Sequence, residues 1–248
     1  MNKIDKLAAI LKKLNVEGAT EENRKVALEL VSDINPLELS MAEQKLIEEG
    51  MKPEDLRHLC DIHMEVLKDE LEKLRAQVEE GHVLHTLIIE HDEILKFLSE
   101  LDELNLDIQK MDSYKEDPIF NRLGELAEGL LGAEPHHKRE EDVLFIAMEN
   151  RQITGPTRIM RMEHDDLRIR KHTIKELAEK VAEMDFAEFK ERLDEAAKYV
   201  VFHLRDHIFK ENYILYPTAM ESITDKEAWA KMKDDCDKVG YCTFTPNK

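Results

Sequence analysis

EHDEIL at 90–95 and HHKREEDVLF at 136–145 return in the same order as EHDDLR at 163–168 and HIFKENYILYP at 207–217. In the first copy His91 precedes His137 and Glu141 by 46 residues or more; in the second His164 precedes His207 and Glu211 by 43 or more. Corresponding residues lie 73, 70 and 70 positions apart. Residues four apart on a helix share a face, one turn apart. His137 with Glu141, and His207 with Glu211, can therefore each reach one site. A single His-x-x-x-Glu means little. Two, each preceded by a Glu-His-Asp, read as two helical hairpins that jointly hold a pair of metal ions. Neutral imidazole suits iron, zinc, copper and nickel. A carboxylate from each pair can bridge two cations and neutralise their charge, and bundle cores build di-iron sites from inward-pointing Glu and His. Four His and two Glu leave coordination positions open to a small ligand.

The register of the first copy stays open, because His136 pairs with Glu140 at the same spacing. Matching Leu144 and Phe145 to Ile214 and Leu215 favours His137 with Glu141. Pro135, just before the histidine doublet, is expected to disturb the helix there.

These motifs resemble the hemerythrin-like (HHE) cation-binding family over roughly residues 84–221. The resemblance implies an all-α, up-down four-helix bundle with a non-haem di-iron centre. Its ligands would be His91, His137, Glu141, His164, His207 and Glu211, with Glu141 and Glu211 as bridges. Members of the family bind oxygen, sense oxygen, nitric oxide or iron, or store and detoxify iron. Oxygen carriers place a His one turn before the third-helix His, where this chain has Met160. His203, one turn before His207, and His136 are the candidates for the seventh ligand. This departure weighs against reversible oxygen carriage more than against metal binding. The stretch LCDIH at 59–63 resembles part of a domain of unknown function that often precedes hemerythrin-like domains.

At 248 residues the chain can build one sizeable core and a smaller module. A net charge of −19 argues against nucleic acid or an anionic membrane as partner. No apolar run approaches a membrane span, and the N-terminal stretch shows no signal-peptide pattern. Three cysteines, Cys60, Cys236 and Cys242, point to a reducing cytoplasm.

Glycine and proline are scarce and the apolar spacing is helical almost throughout. A helical module is expected over 1–80, the bundle over 81–222, and a tail with a short helix over 223–248. The bundle helices are expected near 84–111, 119–149 with a break at Gly132 to Pro135, 157–183 and 185–222. Thr224 and Glu227 suggest a capping box for the tail helix. His58, Cys60 and His63 cluster on one expected helix, where a buried thiol and a core imidazole outweigh a second metal site. His82 and His85 are expected at the start of a helix, and His172 at the surface.

The function expected is a cytoplasmic di-iron protein that binds or senses oxygen or nitric oxide, with the N-terminal module contacting a protein partner. Manganese or zinc could replace iron. The alternatives are an enzyme acting on peroxide or nitric oxide at the same centre, and an iron store or iron-level sensor.

Overall fold

The computed structural model describes residues 74–246, together with Asp5, Lys6, Ala9, Lys12, Lys13, Leu71 and Glu72. Most of the helical module expected over 1–80, with the cluster of His58, Cys60 and His63, lies outside the described residues. The chain divides into two compact units, Met1–Gln77 and Val78–Lys248. The described residues contain helices and turns, and no strand among them.

Near the start of the second unit, Gly81, whose φ of 90° few other residues adopt at low cost, turns the chain just before α1 (Val83–Gln109). His82 caps α1: its Nδ1 accepts the Leu84 N–H at 3.2 Å. The buried stripe of Leu87, Ile94, Leu98, Leu101 and Ile108 follows the helical period and faces the bundle interior. Asp117 caps α2 (Pro118–Leu131), with Pro118 in the first turn where its missing N–H costs nothing. The chain breaks at Gly132 and Ala133 and resumes as α3 (Glu134–Arg139). Pro135 thus falls in a first turn and is accommodated there; the break lies upstream of it.

Helix α3 runs into a π-helical turn, Glu140–Leu144, and on into α4 (Phe145–Glu149). Helix α5 (Gly155–Lys180) ends in a short 3-10 turn, Val181–Glu183. Asp185 caps α6 (Phe186–Lys210) by accepting from the Ala187 and Glu188 N–H groups. Helix α6 passes through a second π turn, Glu211–Leu215, into α7 (Tyr216–Ser222). The tail forms α8 (Lys226–Val239), capped by Asp225 rather than by Thr224. Asp225 accepts the Glu227 N–H at 2.9 Å.

Helices α1, α2, α5 and α6 form a closed ring in which each packs on the next and α6 returns to α1. Short connections between consecutive helices make neighbours antiparallel. One end of the ring is an apolar core in which Phe120 packs edge-on against Phe186 and Phe189. The other end is where the repeated histidines and carboxylates lie. Helix α8 lies across that end, against α1, α3 and the first π turn. Among the described residues no helix is long and apolar enough to cross a membrane.

Candidate metal centre

Both copies of the repeat make the same local structure. In each, an α-helical turn carrying a His is followed four residues later by a Glu that begins a π turn: His136 and Glu140, His207 and Glu211. The Phe145 N–H reaches the Glu140 carbonyl and the Tyr216 N–H reaches the Glu211 carbonyl, five residues back. Such π turns add a residue to the turn and concentrate at functional sites.

Two groups of potential ligand atoms result. Glu140, His164, His207 and Glu211 form one; His91, His136 and Glu211 form the other, and all are buried. Glu211 spans both. Its Oε2 is 3.0 Å from His91 Nε2, and its Oε1 is 2.8 Å from His207 Nε2 and 3.6 Å from His164 Nε2. Glu140 Oε2 lies 3.5 Å from His136 Nε2 and 3.4 Å from His164 Nε2. His91 Nε2 and His136 Nε2 are 3.1 Å apart.

The outer nitrogens are equally organised. His91 Nδ1 is 2.9 Å from Asn212 Oδ1, His136 Nδ1 2.8 Å from Glu90, His164 Nδ1 2.7 Å from Glu141, and His207 Nδ1 2.8 Å from Glu163. Each Nδ1–H donates outward to an oxygen, which leaves each Nε2 lone pair directed inward. This is the pattern by which metal-binding histidines are oriented. The acceptors cross the repeat: Glu141 of the first copy holds His164 of the second, and Asn212 of the second holds His91 of the first.

The buried atoms Glu140 Oε2, His164 Nε2, His207 Nε2 and Glu211 Oε1 have no hydrogen-bond partner despite their close approach. Buried polar atoms left so are costly. A divalent cation among them would satisfy all four, so the residues present fit a metal. Electrostatics agree. Burial pushes the imidazoles of His91, His164 and His207 downward, but the surrounding carboxylates, Glu211 foremost for His91 and His207 and Glu140 for His164, outweigh it and favour positive charge. Burial likewise raises Glu211, but His207, His164 and His91 drive its carboxyl well below the usual range. The cluster is built to hold cationic charge between carboxylates, which metal ions supply in place of protons.

The favoured register of the first copy is not the one brought together. Glu140, not Glu141, faces the cluster; Glu141 is turned outward, where Arg168 also holds it at 3.0 Å. His136 converges with His91. His137 joins neither group: it stacks on His164 with centroids 4.1 Å apart, and its Nδ1 is 3.8 Å from the Glu134 carboxylate. Burial, then the Lys171 charge, keeps the His137 imidazole well below its ordinary value and so neutral. His203 lies among Tyr199 and Phe202, away from both groups. His82 caps a helix and stacks on Trp229, and His172 is exposed.

Several partners of these side chains carry no metal-ligand signal in the sequence. Arg139 is buried and holds Glu90 at 2.6 Å, and Lys210 holds Glu163 at 2.5 Å. Burial raises both carboxyls, but hydrogen bonds from the histidines and the charges of these cations hold Glu90 and Glu163 at about 2. The Tyr216 hydroxyl donates to Glu140 Oε1 at 2.7 Å. Burial and the carboxylates Glu140 and Glu211 raise its phenol well above the ordinary range, so it keeps its proton. The sequence carries a signal for the register that converges. Aligning at His136 sets Arg139 against Lys210, Glu140 against Glu211, and Val143-Leu144-Phe145 against Ile214-Leu215-Tyr216.

A four-helix ring with six converging His and Glu residues defines a cation-binding bundle. Residues 82–219, more than half of the chain, match the hemerythrin HHE cation-binding domain. The chain belongs to that family. Residues 7–73 match a family of unknown function, DUF438. Comparison with curated proteins gives no match.

Proposed function

We propose that the bundle holds two iron ions and binds a small diatomic ligand, oxygen or nitric oxide. His91 and His136 would hold one ion, His164 and His207 the other, with Glu140 and Glu211 shared between them. The observation that carries this reading is the pair of adjoining ligand groups that meet at Glu211, with buried, unpartnered atoms facing one another. Two ions sharing carboxylates match the di-iron sites that such bundles carry. Imidazole and carboxylate suit iron, and manganese or zinc are the competing ions. A bound di-iron centre supplies open coordination positions and one-electron redox chemistry. The protein's part is to hold each Nε2 inward through its Nδ1 bond, to neutralise the cations with two carboxylates, and to keep water out by burial. The free thiols Cys236 and Cys242 fit a reducing, cytoplasmic setting. In this reading the module matching DUF438 contacts a protein partner and takes no part in ligation.

An enzyme acting on peroxide or nitric oxide is favoured by one observation, the protonated Tyr216 hydroxyl beside Glu140. The deciding measurement is the metal content and visible spectrum of full-length protein purified with iron under exclusion of air, before and after exposure to oxygen or nitric oxide. The expected result is about two irons per chain, in line with di-iron bundles, and a spectral change on adding the gas. One ion or none, or a spectrum indifferent to both gases, would overturn the reading. Steady turnover of peroxide would replace it with the enzymatic one.

A further inference from the structure

Phe145 and Tyr216 close the two π turns at matching places, and each lays its ring against a histidine of the other copy. Phe145 stacks on His164 with centroids 5.9 Å apart at 16°, and Tyr216 on His91 at 5.6 Å and 5°. The two rings differ by one hydroxyl. That hydroxyl lies 2.7 Å from Glu140 Oε1 and 3.4 Å from His91 Nε2. It is therefore at the edge of the space between the two ligand groups, on the side of His91 and His136.

The chemistry of the surrounding atoms makes this hydroxyl unusual. The Nε2 atoms of neutral imidazoles and the carboxylate oxygens are acceptors only. The protons on Nδ1 are directed outward, to Asn212, Glu90, Glu141 and Glu163. Tyr216 is thus the protic side chain among the described residues that contacts both Glu140 and His91. It is fully buried, so it works out of reach of bulk water. An anionic ligand in a buried site needs a donor, because an unpaired buried charge is costly. Among the described residues, the phenol that reaches the cluster lies on the His91–His136 side.

We propose that the Tyr216 hydroxyl, whose one proton goes to Glu140 Oε1 here, turns it to a small anionic ligand, of the azide or peroxide class, taken up on the His91–His136 side of the centre. The two metal positions are then unequal, and the side faced by Phe145 is the one that does not take the ligand. This inference rests on the dinuclear reading above.

Full-length protein and its Tyr216→Phe variant, both loaded with iron and assayed for it, are titrated with azide. Binding is followed by visible absorbance and by the azide stretching band in water and in deuterium oxide. The expected result is equal iron content, azide binding about tenfold weaker in the variant, as loss of one hydrogen bond implies, and a deuterium shift of the azide band in the parent protein alone. Equal affinity with the same deuterium shift in both proteins overturns the proposal. So does the absence of azide binding by the parent protein. Loss of iron by the variant also overturns it, since the phenol would then serve to hold Glu140. A parent protein that retains fewer than two irons overturns the dinuclear reading, and the proposal falls with it.

Discussion

Glu90 and Glu163 occupy matching places, each one residue before a histidine of the cluster and each holding the Nδ1 of the next histidine in its own copy. Their side chains differ in exposure: 0% for Glu90 and 30% for Glu163. The difference comes from what covers them. Glu90 is gripped by Arg139, and the tail closes over both: Thr245 donates to Glu90 at 2.5 Å, Cys242 Sγ is 3.9 Å from Arg139, and the Tyr241 ring lies 4.7 Å from the guanidinium. Glu163 is gripped by Lys210, which also reaches Asp206 at 2.8 Å in a setting open to water. The same ligand geometry is therefore held by a sealed ion pair in one half and a partly solvated one in the other. Repetition of sequence has preserved the atoms that face the cluster and has left their support free to diverge.

The largest expected effect concerns the atoms that are the same in both halves. Glu140→Ala and Glu211→Ala should each lose bound metal, whereas Glu141→Ala and Asn212→Ala, which only orient histidines, should weaken it about 10- to 100-fold. Metal stoichiometry and competition with a chelator measure this. Equal losses from Glu140→Ala and Glu141→Ala would restore the other register.

The halves should part in stability. In metal-free protein, Glu90→Gln leaves Arg139 as a buried unpaired charge and should cost about 3–5 kcal/mol. Glu163→Gln, with water able to reach Lys210, should cost about 1 kcal/mol or less. Because Glu90 is held at about 2, its stabilisation is present above the ordinary carboxylate range and is lost as pH falls towards 2. Urea unfolding of both variants between pH 3 and pH 7 tests the pair, and equal costs at pH 7 would erase the distinction between sealed and solvated support.

Lys171 is a second divergence. The repeat offset from His91 to His164 sets it against Leu98, a core residue, yet Lys171 is itself buried. Burial foremost lowers its amine to about 8. The folded state thus binds its proton less readily than the unfolded chain does. The cost of the charge is fully present below about pH 8 and is relieved as pH rises from 8 towards the ordinary lysine value of 10.5. Lys171→Met should raise stability at pH 7 by about 3 kcal/mol and flatten the rise between pH 8 and 10. Thermal melts across that range measure it; an unchanged or lowered melting temperature at pH 7 would show that the amine is stabilised in place.

A further effect is expected in the tail. Thr245→Val keeps the shape and removes the bond to Glu90, at a cost of about 1.5–3 kcal/mol for a hydrogen bond to a charged group. A melting temperature that does not move would mean that the tail covers Glu90 without holding it.

Helical periodicity, caps and the repeated Glu-His-Asp made the bundle and most of its histidines legible. The α1 stripe and Asp185 at the start of α6 follow from local pattern, since a helix end needs a side-chain acceptor and an amphipathic face needs a core. Helix spacing by itself does not choose between His136 and His137. Both His-x-x-x-Glu pairs satisfy the four-residue rule, and they lie about 100° apart around the same helix. The tail was equally silent, because nothing local to Thr245 or Cys242 indicates contact with residues a hundred or more positions earlier.

The sequence by itself determined the all-helical chain, the two-fold repeat and the residue types able to hold a metal, because these depend on spacing along one helix. Tertiary structure decided which of two adjacent faces points inward, through the break at Gly132 and the π turn that begins at Glu140. It also decided that Glu141 and Asn212 serve the opposite copy, that Tyr216 brings a hydroxyl to one side only, and that the tail seals Glu90. Each of these depends on how separate helices are phased against one another, and that phase is set by packing across the bundle rather than by any segment alone.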